Sequence, residues 1–192
     1  MDSYKEIIGV ITVIMTIILY GFYLRDTIKG KISPHPFSWI VWFTIAITVF
    51  LAQVSDNAGP GAWMNGAVCI FNFFIILASI KNGFSNIKPI DIIVFTISII
   101  AVPVWIMTES AFWSVIILSF ANTLAYIPTY RKSYHNPNNE PVYLYGINFF
   151  RHGLSITALT NYSTITMLSP FMLVINNGAL AIFLLWRRKI IK

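Results

Sequence analysis

Seven runs of 17 to 20 apolar residues, separated by loops of at most 14 residues, take up most of this 192-residue chain. They are Ile7 to Leu24, Phe37 to Val54, Gly61 to Ile80, Ile90 to Met107, Ala111 to Ile127, Val142 to Leu159 and Met167 to Trp186. One helical bilayer crossing needs roughly 20 mostly apolar residues at about 1.5 Å each. The runs are continuous, whereas membrane strands alternate in segments of roughly ten residues, so helices are expected and a barrel is not. A soluble domain of this length could not hide the rest: 57% of the residues are hydrophobic, 10% are charged and the mean hydropathy is +0.72. The expected fold class is therefore an all-α membrane protein with seven transmembrane helices. The first run does not read as a cleavable signal, because Asp2 and Glu6 replace a basic leader and Leu24-Arg25-Asp26 offers no small-residue cleavage site.

Orientation follows from the 13 Lys and Arg. Eleven fall in alternate segments: Arg25, Lys29 and Lys31; Lys81 and Lys88; Arg131 and Lys132; and Arg187, Arg188, Lys189 and Lys192. The opposite loops carry Asp56 and Glu109 and no base. The positive-inside bias then sets the N-terminus outside and the C-terminus in the cytoplasm of a plasma (inner) membrane. Trp39, Trp42 and Trp186 fall near cytoplasmic helix ends and Trp63, Trp105 and Trp113 near outer ends, as interfacial rings would. The net charge of +6 thus reports topology, with the lipid bilayer as partner, and a nucleic-acid partner is not expected.

The chemistry of an enzyme is hard to find. Cys69 is the lone cysteine and lies inside the third run, which rules out a disulfide within the chain or a thiolate cluster. His35 and His135 lie in loops, and no histidines share the spacing of a ligand set on one helix face. The chain has no Gly-rich phosphate loop, GxSxG elbow or HExxH helix, so neither an enzyme nor a cofactor or metal is expected.

Laying the last three runs over the first three at a spacing of 106 residues brings Tyr20 onto Tyr126, Arg25 onto Arg131 and Lys81 onto Arg187. Each block then holds three helices with matching loop charges, and the fourth run is an unpaired linker. A single linker leaves both blocks in the same orientation, as parallel repeats about an axis along the membrane normal. The organisation expected is a first repeat over residues 1–83, a linker helix over 84–108 and a second repeat over 109–192.

This three-plus-one-plus-three layout resembles the PQ-loop superfamily of SWEET sugar transporters, cystinosin-type amino-acid exporters and KDEL receptors. The resemblance covers essentially the whole chain and is carried locally by Tyr23 to Trp42 (YLRDTIKGKISPHPFSWIVW) and Tyr126 to Tyr134 (YIPTYRKSY). The Pro-Gln pair itself is replaced by Phe22-Tyr23 in the first copy and Pro128-Thr129 in the second, so of the paired proline hinges only Pro128 is present. The resemblance implies a small-solute transporter working as a uniporter or facilitator by alternating access, with a sugar, amino acid or organic acid as solute. It equally admits a non-transporting membrane receptor or scaffold of the same fold. A homo-oligomer is compatible with either.

Polar groups at mid-depth are the candidate solute contacts, because they are costly there and face the bundle interior. Asn72 lies nine positions before Lys81, Asn176 and Asn177 lie ten to eleven before Arg187, and Asn122 lies nine before Arg131. All stand roughly 13 to 17 Å from the cytoplasmic edge at about 1.5 Å per residue. The resemblance implies that an Asn on the third helix of each block, here Asn72 and Asn176 or Asn177, faces the solute. The alternative is that these amides join neighbouring helices.

Arg151 and His152 fall ten and eleven residues after Pro141, close to the centre of the sixth run. Arg stays charged, and inserting it at mid-membrane costs about 2.5 to 3.5 kcal/mol on translocon scales. All seven acids (Asp2, Glu6, Asp26, Asp56, Asp91, Glu109 and Glu140) lie at or outside the ends of the runs. Arg151 can bond to backbone carbonyls, face a water-filled cavity, or hold a solute anion in a bidentate fork. His152 could relay protons, though the charge beside it opposes protonation. Asn148, three residues before Arg151, completes the expected contact set of Asn72, Asn122, Asn148, Arg151, His152, Asn176 and Asn177. The segment Pro34-His35-Pro36-Phe37-Ser38-Trp39 reads as a helix boundary with Trp39 as an interfacial anchor, or else as a gate.

Overall fold

Threonine and glycine on the first helix fall on one stripe, and the isoleucines fall on the other. In α1 (Ser3–Ile28), Gly9, Thr12, Thr16 and Thr27 are buried, while Ile7, Ile11, Ile14, Ile17 and Ile18 are exposed. A helix at a water interface does the reverse and turns its apolar face inward. The inverted pattern suits hydrocarbon outside, where polar side chains gain most by packing against other helices. Thr12 and Thr16 are satisfied by back-bonds to Gly9 O (2.7 Å) and Thr12 O (2.8 Å), so neither burial leaves an orphan hydroxyl.

The computed structural model describes residues 3–31, 36–82, 89–135, 137–140 and 142–191. Pro34, His35, Lys88 and Pro141 lie outside the described residues, as do the side chains of Asn82, Asp91, Pro128, Arg131 and Lys132. The remaining helices are α2 (Pro36–Ser55), α3 (Trp63–Ser79), α4 (Pro89–Thr108), α5 (Ala111–Leu124), α6 (Ile127–His135), α7 (Val142–Thr157) and α8 (Thr164–Ile190). Short 3-10 turns cover Gly59–Ala62, Ile80–Asn82 and Pro137–Asn139, and every regular element among the described residues is helical. The segments Ser3–Ile28, Pro36–Ser55, Gly59–Ser79 and Thr164–Ile190 are long and apolar enough to cross a membrane.

Among the described residues eight α-helices stand where seven were expected, because the fifth run ends early at Leu124 and the chain restarts as α6 at Ile127. Pro128 has no N–H for the carbonyl of Leu124, so the ladder breaks there and Ala125 and Tyr126 turn the chain. The sixth run also ends sooner, at Thr157, and Leu159 belongs to the following turn.

Packing pairs the elements in a repeating way. In the N-terminal half α3 packs on both α1 and α2; in the C-terminal half α8 packs on both α5 and α7. The halves meet where α1 packs on α7 and α2 on α5. The helix α4 lies against α5 and α2 over a core of Val41, Ile45, Val49, Val94, Ala101, Leu118 and Ala121. Ser114 ties α5 to α4 by donating to Ala101 O at 2.6 Å.

One end of the bundle carries Glu6, Asp56 and Glu109. There α2 closes in a Schellman turn, with Asn57 at φ 55, Ala58 N bonded to Gln53 O (2.9 Å) and Asn57 N to Val54 O (3.1 Å). This turn meets the α7–α8 connection: Thr160 N donates to Ala58 O (3.0 Å), Thr160 Oγ1 to Asn57 O (2.6 Å) and Asn161 Nδ2 to Asp56 O (2.8 Å). Ser163, the N-cap of α8, bonds the Asp56 carboxylate. Glycine makes the approach possible, since a Cβ on Gly61 would lie 2.5 Å from the Leu159 side chain and 2.8 Å from Ser155 O. At the opposite, basic end Arg187 of α8 holds the last turn of α6 through Tyr134 O (2.7 Å), and Arg188 holds the α6–α7 connection through Glu140 O (2.6 Å).

Candidate functional site

Between the halves lies a cavity of about 470 Å³. Its volume falls within the range of roughly 300 to 1,000 Å³ typical of small-molecule sites. Asn72, Asn122, Asn148, Arg151, His152 and Asn177 all line it. Asn176 does not: its Nδ2 donates to Thr123 Oγ1 at 2.9 Å and ties α8 to α5. Of the two adjacent asparagines on α8, Asn176 therefore serves as a helix-joining amide and Asn177 as a cavity amide.

Helical spacing explains which side chains meet there. On α2, Trp39, Trp42, Ile45, Ala46 and Val49 recur at intervals of three or four and form one face. On α7, Tyr145, Asn148, Arg151 and His152 do the same. The two faces correspond residue by residue at the 106-residue spacing: Trp39 with Tyr145, Trp42 with Asn148, Ile45 with Arg151 and Ala46 with His152. Leu19, Tyr20 and Tyr23 on α1 continue the series, with Ala125 and Tyr126 in the turn after α5 and Thr129 on α6 as their counterparts. The third helices obey a spacing of 105, which pairs Val68 with Leu173 and Asn72 with Asn177.

Arg151 is 2% exposed. Its Nη1 donates to Thr16 Oγ1 at 3.0 Å, and its guanidinium lies 5.3 Å from the Tyr20 ring centroid. Thr16 and Tyr20 are four residues apart on α1, so one face of that helix supplies both contacts. Thr16 in turn donates to Thr12 O, which aims its lone pairs at the guanidinium. The charge therefore rests on a hydroxyl and a ring instead of the backbone carbonyls considered above, and it has no carboxylate partner among the described residues. Arg151 Nε is buried with no hydrogen-bond partner, as are His152 Nδ1 and the Oδ1 atoms of Asn72, Asn148 and Asn177. The Asn177 amide orientation is fixed by its Nδ2, which donates to Leu173 O at 2.8 Å and leaves Oδ1 as the free acceptor.

Several lining residues escaped the sequence reading. Trp39, expected as an interfacial anchor, is 6% exposed and sits inside, with its ring 4.9 Å from Tyr23 and 5.1 Å from Trp42. Position near a helix end suggested the membrane surface; the three-residue interval to Trp42 was the signal for a shared face. Glu140 also lines the cavity, at its basic end, and its carboxylate accepts from Tyr145 Oη at 2.9 Å.

Toward the acidic end the cavity stops at Val49, Asn65 and Ser169. A buried amide network lies there. Pro170 sits inside α8 and has no N–H, so the carbonyl of Thr166, four residues earlier, loses its helical donor. Gln53 Nε2 supplies the missing bond at 2.9 Å, and Gln53 Oε1 accepts from Asn65 Nδ2 at 2.7 Å. One proline in the second half is thus completed by two amides from the first. A proline inside an apolar run and a glutamine inside another were the signals available in the sequence.

No family model, no curated protein and no solved structure matches this chain.

Proposed function

We propose that the chain is a membrane-embedded carrier for a small polar or anionic solute. It crosses the bilayer seven times, with α5 and α6 together forming the fifth crossing. Residues 1–83 and 109–192 are two parallel three-helix repeats, and α4 is the linker between them. The positive-inside bias orients the basic end toward the cytoplasm.

The observation that carries this reading is the pairing of nine lining positions across the halves around one cavity. Equivalent positions facing a shared cavity are what a pseudo-twofold axis through a solute site produces, and parallel repeats about such an axis are a recurrent carrier design. The inverted burial of α1 and the lone guanidinium at depth supply further support, since intramembrane charge generally marks a solute or ion path. Alternating access would rock the halves about the cavity. In this arrangement the acidic end is closed by the contacts of residues 56–58 with 160–163 and by the Gln53 network.

Uptake into proteoliposomes tests the proposal. Wild-type protein should carry at least one sugar, organic acid or amino acid faster than empty vesicles, and Arg151→Ala should remove that excess. If no solute of these classes crosses faster than in empty vesicles, the carrier reading is lost and a receptor or scaffold takes its place. Reporters placed at Asn57 and Asn82 should appear on opposite sides of the membrane; the same side for both would overturn the topology.

A further inference from the structure

The two walls of the cavity present different chemistry to whatever lies between them. The α7 wall offers Arg151, with an unpartnered Nε, and Asn148, with an unpartnered Oδ1. Across from it the α2 wall offers the indoles of Trp39 and Trp42 and the apolar side chains of Ile45 and Ala46. The third helices add the unpartnered amide oxygens of Asn72 and Asn177.

Each group asks for a particular complement. A guanidinium with a free N–H in a desolvated site calls for a carboxylate or another oxyanion. Amide oxygens accept and cannot donate, so they call for hydroxyl or ammonium hydrogens. Indole faces call for a ring or for C–H bonds. Charge balance decides between the two donor types. Glu140 lines the cavity at its basic end, where its carboxylate accepts from Tyr145 Oη (2.9 Å), while Arg151 rests on Thr16 and Tyr20. An ammonium group deep in the cavity would face the guanidinium with no carboxylate beside it. Neutral hydroxyls carry no such cost.

We infer that the solute is a polyhydroxylated monocarboxylate of the hexuronate type. Its carboxylate is held by Arg151, its hydroxyls donate to Asn72, Asn148 and Asn177, and its C–H face lies on Trp39 and Trp42. This inference rests on the carrier reading for its setting, but it concerns equilibrium binding and can fail or stand separately from transport.

Calorimetric titration of the purified, detergent-solubilised protein tests it with four probes: D-glucuronate, its neutral isostere D-glucuronamide, D-glucose and L-serine. Glucuronate should bind at least tenfold more tightly than each of the others. In Arg151→Gln the preference for glucuronate over glucuronamide should shrink to within about twofold while glucuronamide affinity is retained, a pattern that general loss of structure does not produce. Because the comparison between glucuronate and glucuronamide is made on wild-type protein, it holds even if the variant fails to fold. Glucose, glucuronamide or serine binding as tightly as glucuronate, or no binding of glucuronate, overturns the inference. Glucuronate binding with no uptake of any sugar, organic acid or amino acid overturns the carrier reading and leaves this one standing; uptake of neutral sugar alone does the opposite.

Discussion

α2 and α7 occupy corresponding places in the two halves, yet one faces the cavity with Trp39, Trp42, Ile45 and Ala46 and the other with Tyr145, Asn148, Arg151 and His152. The backbone placement is shared; the chemistry is not. The proposed repeat would hold the two walls in register while each takes its own role, one apolar and aromatic, the other polar and cationic. The supporting contacts follow the same logic. Arg151 rests on Thr16 of α1, and the position 106 residues beyond Thr16 is Asn122, which lines the cavity on α5 beside α2. Block two supplies the charge, and block one supplies the hydroxyl that steadies it.

The largest effect should come from erasing that difference. Arg151→Ile makes the α7 wall match Ile45, and uptake of an anionic solute should fall to the level of empty vesicles. Adding Ile45→Arg transfers the cation to the equivalent position, where Asn122 is the counterpart of Thr16 at the same spacing. The double variant should recover uptake to on the order of a tenth of wild type, because the bidentate donor is again in the cavity. A well-folded double variant that stays at background would break the equivalence of the walls.

A smaller effect is expected where the halves are joined. Gln53→Leu leaves the Thr166 carbonyl and the Asn65 amide without their buried partner, at a cost of about 1 to 3 kcal/mol. Thermal unfolding in detergent should show the loss. The companion change Pro170→Ala restores the helical donor to Thr166 and should reduce the cost of Gln53→Leu. Equal losses with and without Pro170→Ala would remove the explanation offered for the glutamine.

The adjacent asparagines of α8 give the finest discrimination. Asn177→Ala removes a cavity acceptor and should weaken solute binding by about 1 kcal/mol, roughly fivefold. Asn176→Ala removes only the bond to Thr123 and should cost about 0.6 kcal/mol of stability with solute affinity unchanged. If the two variants swap these phenotypes, the assignment of cavity and helix-joining amides is inverted.

Much of the fold was legible because hydrophobic run length is a direct consequence of bilayer thickness. The α1 to α4 segments and α8 fall where their runs were read, give or take a few residues. The division of the fifth run was harder to see, since apolar composition continues through Ile127 while the lost N–H of Pro128 acts on a carbonyl four residues away. Six of the seven residues read as candidate contacts line the cavity, because depth along a helix can be counted from its end, a basic residue for Asn72, Asn122 and Asn177 and Pro141 for Arg151 and His152. Depth cannot separate Asn176 from Asn177, which differ by about 100° around the axis and so face different neighbours. Trp39 and Gln53 depended on what lies opposite them in another helix, and a single sequence does not say which helices touch.

Cysteine accessibility tests most directly whether both walls line one solvent-reached cavity. In a Cys69→Ala background, Ala46→Cys and His152→Cys should both react with a membrane-impermeant thiol reagent supplied at the basic end. Bound solute should slow both reactions, and Ile182→Cys, at a position 70% exposed on the outside of the bundle, should stay unreactive in the bilayer. Reaction at only one of positions 46 and 152, or at neither, would contradict a shared cavity between the two halves.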